Sequence, residues 1–121
     1  MVIRKYNDAN AYDAHSGTIR AHEVLDKASG FAHPFDSAWG YLPGPGGALE
    51  PHAHDANEIY IVFKGDGTVM VDGETAKVAC GDIIEIPGGK LHNIQNDGQG
   101  ELLWLAFWWP VPLTAPGASP P

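Results

Sequence analysis

The 121-residue chain is predicted to have an all-β fold, from three features of its sequence. Its short apolar runs are separated by 15 Gly and 10 Pro residues, a pattern that favours strands and turns over long helices. Asp72-Gly73 lies between two runs rich in β-forming residues, which is a strong hairpin signal. Residues 96–100 form a second turn of the same kind. Hydrophobic residues at 44% and charged residues at 18% predict one folded domain.

The individual strands are predicted where apolar runs alternate with turn residues. They lie at residues 18–24, 38–42, 52–63, 68–71, 75–78, 82–86, 91–96 and 102–109. Residues 1–15 are too weakly patterned to assign. Pairing between neighbours in sequence is typical of a β-sandwich or closed barrel, so residues 1–109 are expected to form one barrel. Residues 110–121 contain five prolines and are expected to form a flexible C-terminal tail.

Charge and hydropathy exclude several classes of partner. A net charge of -8 without a basic cluster argues against nucleic acid, because a phosphate backbone would be repelled. The longest apolar run, 102–109, is too short to cross a membrane, and the polar N-terminus does not resemble a signal peptide. A cytoplasmic protein is therefore expected. Cys80, the only cysteine, is interpreted as a small core residue rather than a nucleophile, and it cannot form an internal disulfide.

A row of polar side chains marks the predicted strand at 52–63. His52, His54, Glu58 and Tyr60 are all even-numbered, so an extended strand would project them from one face. Imidazole and carboxylate groups suit divalent transition metals. The spacing His-x-His is common by chance and gives little support for a metal site by itself. The residues around it decide the interpretation.

Two sequence motifs frame these histidines. Gly46, His52, His54, Glu58 and Gly65 match the pattern G(X)5HXH(X)3,4E(X)6G at every fixed position.

The second motif lies 15 residues further along the chain. Gly81, Pro87, Gly89, His92 and Asn96 match the pattern G(X)5PXG(X)2H(X)3N, again without departure. With these ten positions the chain resembles the cupin superfamily, and in particular its small single-domain members. The resemblance covers roughly residues 40–105. It implies a single-domain jelly-roll β-barrel in which His52, His54, Glu58 and His92 meet on one metal ion.

The resemblance leaves the metal and the reaction open. One divalent ion per chain is expected, either Fe, Mn, Ni, Zn, Co or Cu. Four protein ligands leave one or two positions for water, substrate or oxygen, which is typical of a catalytic site. The expected function is a metal-dependent enzyme acting on a small polar metabolite, with a dioxygenase preferred over an isomerase, decarboxylase or lyase. A non-catalytic barrel that binds or senses a sugar-like ligand is the alternative, and a structural metal site is a further one.

The remaining candidate residues concern the substrate. Glu58 and Tyr60 are the candidate catalytic residues, Tyr60 as an acid/base group. The aromatic residues Trp39, Tyr41, Tyr60 and Phe107 are predicted to line the substrate pocket. The chain has two arginines, so a substrate that chelates the metal is expected rather than one clamped by guanidinium groups.

Two further expectations concern residues outside the motifs and the oligomeric state. His15, His22 and His33 are interpreted as surface or hydrogen-bonded residues rather than ligands. A homodimer is expected, because the resemblance implies one and because the run 102–109 is apolar and aromatic.

Overall fold

A computed structural model describes residues 3, 11–24 and 34–110 of the chain. These residues form nine β-strands and no helix. The strands are β1 (Tyr12–Ala14), β2 (Ile19–Glu23), β3 (Asp36–Leu42), β4 (Asn57–Lys64), β5 (Asp66–Val71), β6 (Glu74–Ala79), β7 (Ile83–Ile86), β8 (His92–Asn96) and β9 (Leu102–Trp109). The all-β prediction is confirmed. The predicted tail beyond residue 110, and His33, lie outside the described residues.

The strands form two antiparallel sheets that together make a jelly roll. The larger sheet has the order β1-β2-β3-β9-β4-β7 and the smaller has the order β6-β5-β8. Strand β9 lies between β3 and β4, so the C-terminal run 102–109 is central in the larger sheet. In the described residues, no helix is long and apolar enough to span a membrane.

Two predicted elements differ from those observed. Strand β1 was not predicted, because three residues are too short to show an alternating pattern. The predicted strand 52–63 begins only at Asn57, so its first part is wrong. Residues 48–56 instead follow an irregular path with two isolated bridges, Ala48 to Gln95 and His52 to His92.

The predicted hairpin is present between β5 and β6. Asp72 and Gly73 have φ values of 51° and 84°, the positive values that a two-residue turn of this type requires. The two strands pair in register from Asp66 with Ala79 to Val71 with Glu74.

The core lies between the two sheets. On β9 the residues alternate, and Leu102, Trp104, Ala106 and Trp108 are buried. The facing sheet contributes Val69, Val78 and Ile94 to the same buried cluster. This alternation determines which side chains of the larger sheet can reach the space between the sheets.

Candidate metal centre

Four side chains from distant parts of the sequence converge between the sheets. Ligand atoms of His52, His54, Glu58 and His92 all lie within 4.8 Å of one another. Glu58 points inward from β4 in the larger sheet, and His92 begins β8 in the smaller one. Their side chains are 2% and 0% exposed, whereas the other two histidines are half-buried. The structure thus brings together all four predicted ligands.

Backbone carbonyl groups fix the orientation of the three imidazole rings. Nδ1 of His52 lies 3.0 Å from the Glu50 carbonyl oxygen, and Nδ1 of His92 lies 2.8 Å from that of Lys90. Nδ1 of His54 lies 2.9 Å from the carbonyl oxygen of residue 56. Because a carbonyl can only accept, each Nδ1 carries the proton and each Nε2 presents a lone pair. This tautomer is the one that ligates a metal through Nε2.

Two of the three histidine Nε2 atoms lack the hydrogen-bond partners that buried polar atoms normally have. Among the described residues, Nε2 of His52 and Nε2 of His92 are buried without a hydrogen bond, although the latter lies 3.3 Å from Glu58 Oε1. Nε2 of His54 lies 3.0 Å from the same carboxylate oxygen. Buried polar atoms are seldom left unpaired unless a ligand satisfies them. Three nitrogen donors and one carboxylate therefore fit a divalent transition metal.

A backbone bridge and one glycine loop hold the ligand segment in place. His52 and His92 exchange two backbone hydrogen bonds, of 3.1 and 2.9 Å, across the isolated bridge between them. The Gly89 N–H donates to the His54 carbonyl at 2.7 Å. Next to it, the Gly88 N–H donates to the Asn57 side-chain oxygen at 2.8 Å. The glycine loop of the second motif thus positions a ligand of the first.

Burial shifts the protonation of two side chains at the centre. It lowers the pKa of His52 to about 4, an effect that nearby His15 and His92 reinforce. The imidazole of His52 is consequently neutral at pH 7, as a metal ligand must be. Burial, followed by the charge of Glu58, raises the pKa of Tyr60 well above its ordinary value. Tyr60 therefore carries an intact hydroxyl group.

A small cavity adjoins the metal ligands, with about 30 Å³ of space for the centres of water-sized molecules. Of the described residues that line it, most are apolar or aromatic and none is Lys or Arg. The lining residues are Ala14, His15, Ile19, Ala21, Ala38, Trp39, Gly40, Leu49, Glu58, Tyr60, Trp104, Ala106 and Trp108. The lining is of the kind that surrounds small organic ligands, whereas the space itself is small.

Two of the four residues predicted for the substrate pocket line this cavity. Tyr60 and Trp39 line it, although the Trp39 ring packs against Phe63, with centroids 5.2 Å apart. Tyr41 and Phe107 are not among its described lining residues, and their role in a substrate pocket stays a prediction. Both alternate with inward-facing residues of their strands and lie on the outer face, where Phe107 contacts Phe35. Whether a substrate occupies the cavity stays a prediction.

Ten of the 13 described lining residues were not among the predicted site residues, and three of the ten carry ring side chains. Trp104 and Trp108 form the inner aromatic face of β9, and the Trp104 ring lies 5.7 Å from that of Tyr60. Alternation groups them together in the sequence, but does not say which face of the strand is inside. His15 lies at the turn between β1 and β2, with its ring 4.1 Å from the ring of His52. No sequence motif marks His15.

Comparison with known proteins agrees with this geometry. Residues 42–108, over half of the chain, match the sequence model of the family described as "Cupin domain". A cupin 2 conserved barrel domain protein from Salinispora arenicola CNS-205 has a similar structure, with a TM-score of 0.79 and 27% sequence identity. That similarity covers 90% of this chain and 88% of the other.

Three characterised relatives match parts of the sequence. Dimethylsulfoniopropionate lyase DddW of Ruegeria pomeroyi is 39% identical over 85 residues, which are 69% of this chain and 55% of that protein. Gentisate 1,2-dioxygenase of Ralstonia sp is 34% identical over 62 residues, 50% of this chain and 18% of that enzyme. The oxalate-binding protein of Thermotoga maritima is 32% identical over 63 residues, with 51% and 52% covered. The chain thus spans about half the length of these relatives, or less.

Proposed function

The chain belongs to the cupin family, and from this premise we propose that it is a metal-dependent enzyme that acts on a small carboxylate by proton transfer. One observation carries the proposal. The Nε2 atoms of His52 and His92 are buried without hydrogen bonds among the described residues, and the fourth ligand, Glu58, lines the adjoining cavity. His52, His54, Glu58 and His92 would hold the ion.

The ligand set favours a catalytic ion over a structural one. Structural metal sites are usually closed, four-coordinate and rich in cysteine. The only cysteine, Cys80, is exposed rather than in the core as predicted, and it is not part of the cluster. Glu58 both belongs to the cluster and lines the cavity, so the cavity leads to the ligands. A divalent ion bound there would supply Lewis-acid polarisation of a substrate oxygen.

The cavity lining supports a carboxylate that binds the metal directly. Among the described residues no lysine or arginine lines the cavity, so no side chain described there offers a permanent positive charge to an anionic group. Recognition of a carboxylate would then fall to the ion itself. The three relatives are named for dimethylsulfoniopropionate, gentisate and oxalate, all of which are small carboxylates.

Tyr60 supports proton transfer as the reaction class. Its side chain is 2% exposed, lines the cavity, and lies with its ring 6.2 Å from that of His92. Among the described residues no hydrogen bond engages its hydroxyl, and because burial raises its pKa the hydroxyl stays protonated and can donate its proton to a more basic group on a bound substrate. Because of this hydroxyl group, we propose a lyase or isomerase ahead of the dioxygenase that the sequence alone favoured. The lyase relative also shares a larger part of the chain than the dioxygenase does.

The second candidate is a dioxygenase. It is favoured by the aromatic, cation-poor cavity, which suits an apolar ring, and by the match to a gentisate dioxygenase. Oxygen consumption distinguishes the two candidates, because proton transfer uses no oxygen.

The experiment has two stages, the first of which concerns the metal. Protein purified without added metal would be analysed by mass spectrometry for bound ions, alongside His52→Ala, His92→Ala and the exposed control Gln95→Ala. We expect about one ion per chain in the wild type and control, and a large loss in the two ligand variants. An unchanged metal content in both ligand variants would refute the proposed site.

The second stage concerns the reaction. The metal-loaded protein and Tyr60→Phe would be assayed on a panel of small carboxylates, including dimethylsulfoniopropionate, with product analysis and an oxygen electrode. We expect turnover without oxygen uptake, and a decrease in kcat of about 10²- to 10⁴-fold in Tyr60→Phe at unchanged metal content. Oxygen uptake would favour the dioxygenase. Bound metal without any turnover would favour a binding or sensor protein instead.

A further inference from the structure

Among the described residues that line the cavity, His15 is a titratable residue that belongs to neither sequence motif. It is half-buried, and its ring lies against that of His52, with 4.1 Å between the ring centroids and a tilt of 31° between the ring planes. An imidazole at this position is close to the metal ligands and also faces the space that a bound molecule would fill.

The backbone at His15 adopts a conformation that the local sequence does not favour. His15 and Ser16 have φ values of 50° and 59°, in the left-handed region that residues other than glycine seldom occupy. Each such residue costs about 1 kcal/mol and persists only where its surroundings fix it. Strain of this kind is concentrated at functional sites.

Hydrogen bonds tie this turn to the segment that carries His52. The Ser16 hydroxyl donates to the Glu50 carboxylate at 3.1 Å, and the Glu50 N–H donates to the Thr18 hydroxyl at 3.1 Å. The Thr18 hydroxyl in turn donates to the His15 carbonyl at 2.7 Å. The Glu50 carbonyl is also the partner of His52 Nδ1. The strained turn and the ligand segment are thus one connected unit.

We infer that His15 is a substrate-positioning residue, which hydrogen-bonds a polar group on the far side of a metal-bound carboxylate. This inference rests on the proposed function and adds the substrate class: a small carboxylate with a second polar group, such as a hydroxyl, a few bonds away. Aromatic and aliphatic side chains form most of the remaining wall, so His15 would determine which end of the substrate faces away from the metal.

The test uses pairs of ligands that differ only in the second polar group. Protein loaded with Co²⁺ would be titrated with 3-hydroxypropionate and butyrate, and with 4-hydroxybutyrate and pentanoate, while the visible spectrum of the ion is followed. In each pair a methyl group replaces the hydroxyl. We expect the wild type to prefer at least one hydroxy acid by about 2- to 10-fold, the range of one hydrogen bond.

Two variants separate positioning from mechanical support of His52. His15→Phe keeps a ring against His52 but cannot hydrogen-bond, whereas His15→Asn keeps a polar group and tolerates the left-handed conformation. We expect His15→Phe to bind Co²⁺ as the wild type does and to lose the preference for the hydroxy acid. His15→Asn should retain part of that preference.

Other outcomes overturn the inference. A wild type without any preference, or an unchanged preference in His15→Phe, would refute the role of His15 while leaving the metal-dependent enzyme intact. Loss of Co²⁺ in His15→Asn but not in His15→Phe would show that the ring only supports His52. Failure of the wild type to bind Co²⁺ at all would refute the proposed function and this inference together.

Discussion

Asn96 offers a quantitative test of how the jelly roll is held closed. Its side chain is 1% exposed, and its amide group donates to the carbonyl oxygens of Leu42, Gly44 and Gly100 at 3.1, 2.9 and 2.8 Å. Its oxygen accepts from the Gly98 N–H at 2.9 Å. One side chain thus joins β8 to the end of β3 and to the turn before β9.

The expected cost of Asn96→Ala follows from these four hydrogen bonds. Each contributes about 0.5–1.5 kcal/mol net, so their loss amounts to about 2–6 kcal/mol. Three of the four are only part-buried, where water can replace the lost partner, which favours the lower half of this range. We therefore expect Asn96→Ala to lower the free energy of unfolding by about 3 kcal/mol. Asn96→Asp should cost more at pH 7, because it turns a negative charge toward three carbonyl oxygens.

The assay is urea unfolding of metal-free protein at pH 7, so that bound metal does not contribute to stability. Gln95→Ala is the matched control, because Gln95 is an exposed neighbour on β8 with one hydrogen bond to Asp97. It should change stability by less than about 0.5 kcal/mol. The reasoning is refuted if Asn96→Ala costs no more than this control, or if Asn96→Asp is more stable than Asn96→Ala.

Three further predictions address the loop, the pH response and the outer face. Gly88→Ala should destabilise the protein by about 1–3 kcal/mol and weaken metal binding, because the new Cβ would collide with the Asp55 carbonyl beside the ligand segment. In metal-free protein, the unfolding free energy should decrease as the pH falls from about 6.5 to about 4. The folded-state pKa of His52 is about 4, below its ordinary 6.5, so between these values the unfolded chain binds a proton that the folded chain does not. If the chain is a homodimer joined through its apolar outer face, Phe63→Glu should reduce its apparent mass on size-exclusion chromatography, because Phe63 is 48% exposed there.

Each of these predictions has a matched comparison. Gly44→Ala should be neutral by urea unfolding and metal titration, since a Cβ there would meet no atom within 4 Å. His52→Gln should flatten the decrease in urea midpoint between pH 7 and pH 4.5, and an equal slope in both proteins would contradict the assignment. Lys64→Glu, a neighbouring exposed position, should leave the apparent mass unchanged. A wild type that elutes as a monomer would remove the basis for a dimer.

The metal ligands were predictable because their spacing in the sequence reflects fixed backbone requirements. The motif places His92 after a proline–glycine loop, and the structure shows that loop bonded to the carbonyl of His54. The ligand set therefore followed from the sequence even though the predicted strand through His52 was wrong. The backbone between residues 48 and 56 bonds to β8 at isolated points, which an alternating pattern cannot reveal.

The cavity wall could be predicted only in part. Both faces of β9 are apolar and aromatic, so composition does not distinguish the inner Trp104 from the outer Phe107. The choice depends on tertiary packing of β9 between β3 and β4. His15 was unpredictable for a related reason, since its proximity to His52 depends on the left-handed turn after β1 and on hydrogen bonds to Glu50.

The distribution of the ligands over the two sheets links the ion to the folding of the chain. His52, His54 and Glu58 lie within seven consecutive residues, so even an unfolded chain could hold an ion weakly through them. His92 joins only when the smaller sheet docks on the larger one. The increase in metal affinity when His92 joins the other three ligands therefore measures how strongly the two sheets dock. A tightly bound ion indicates a correctly assembled jelly roll.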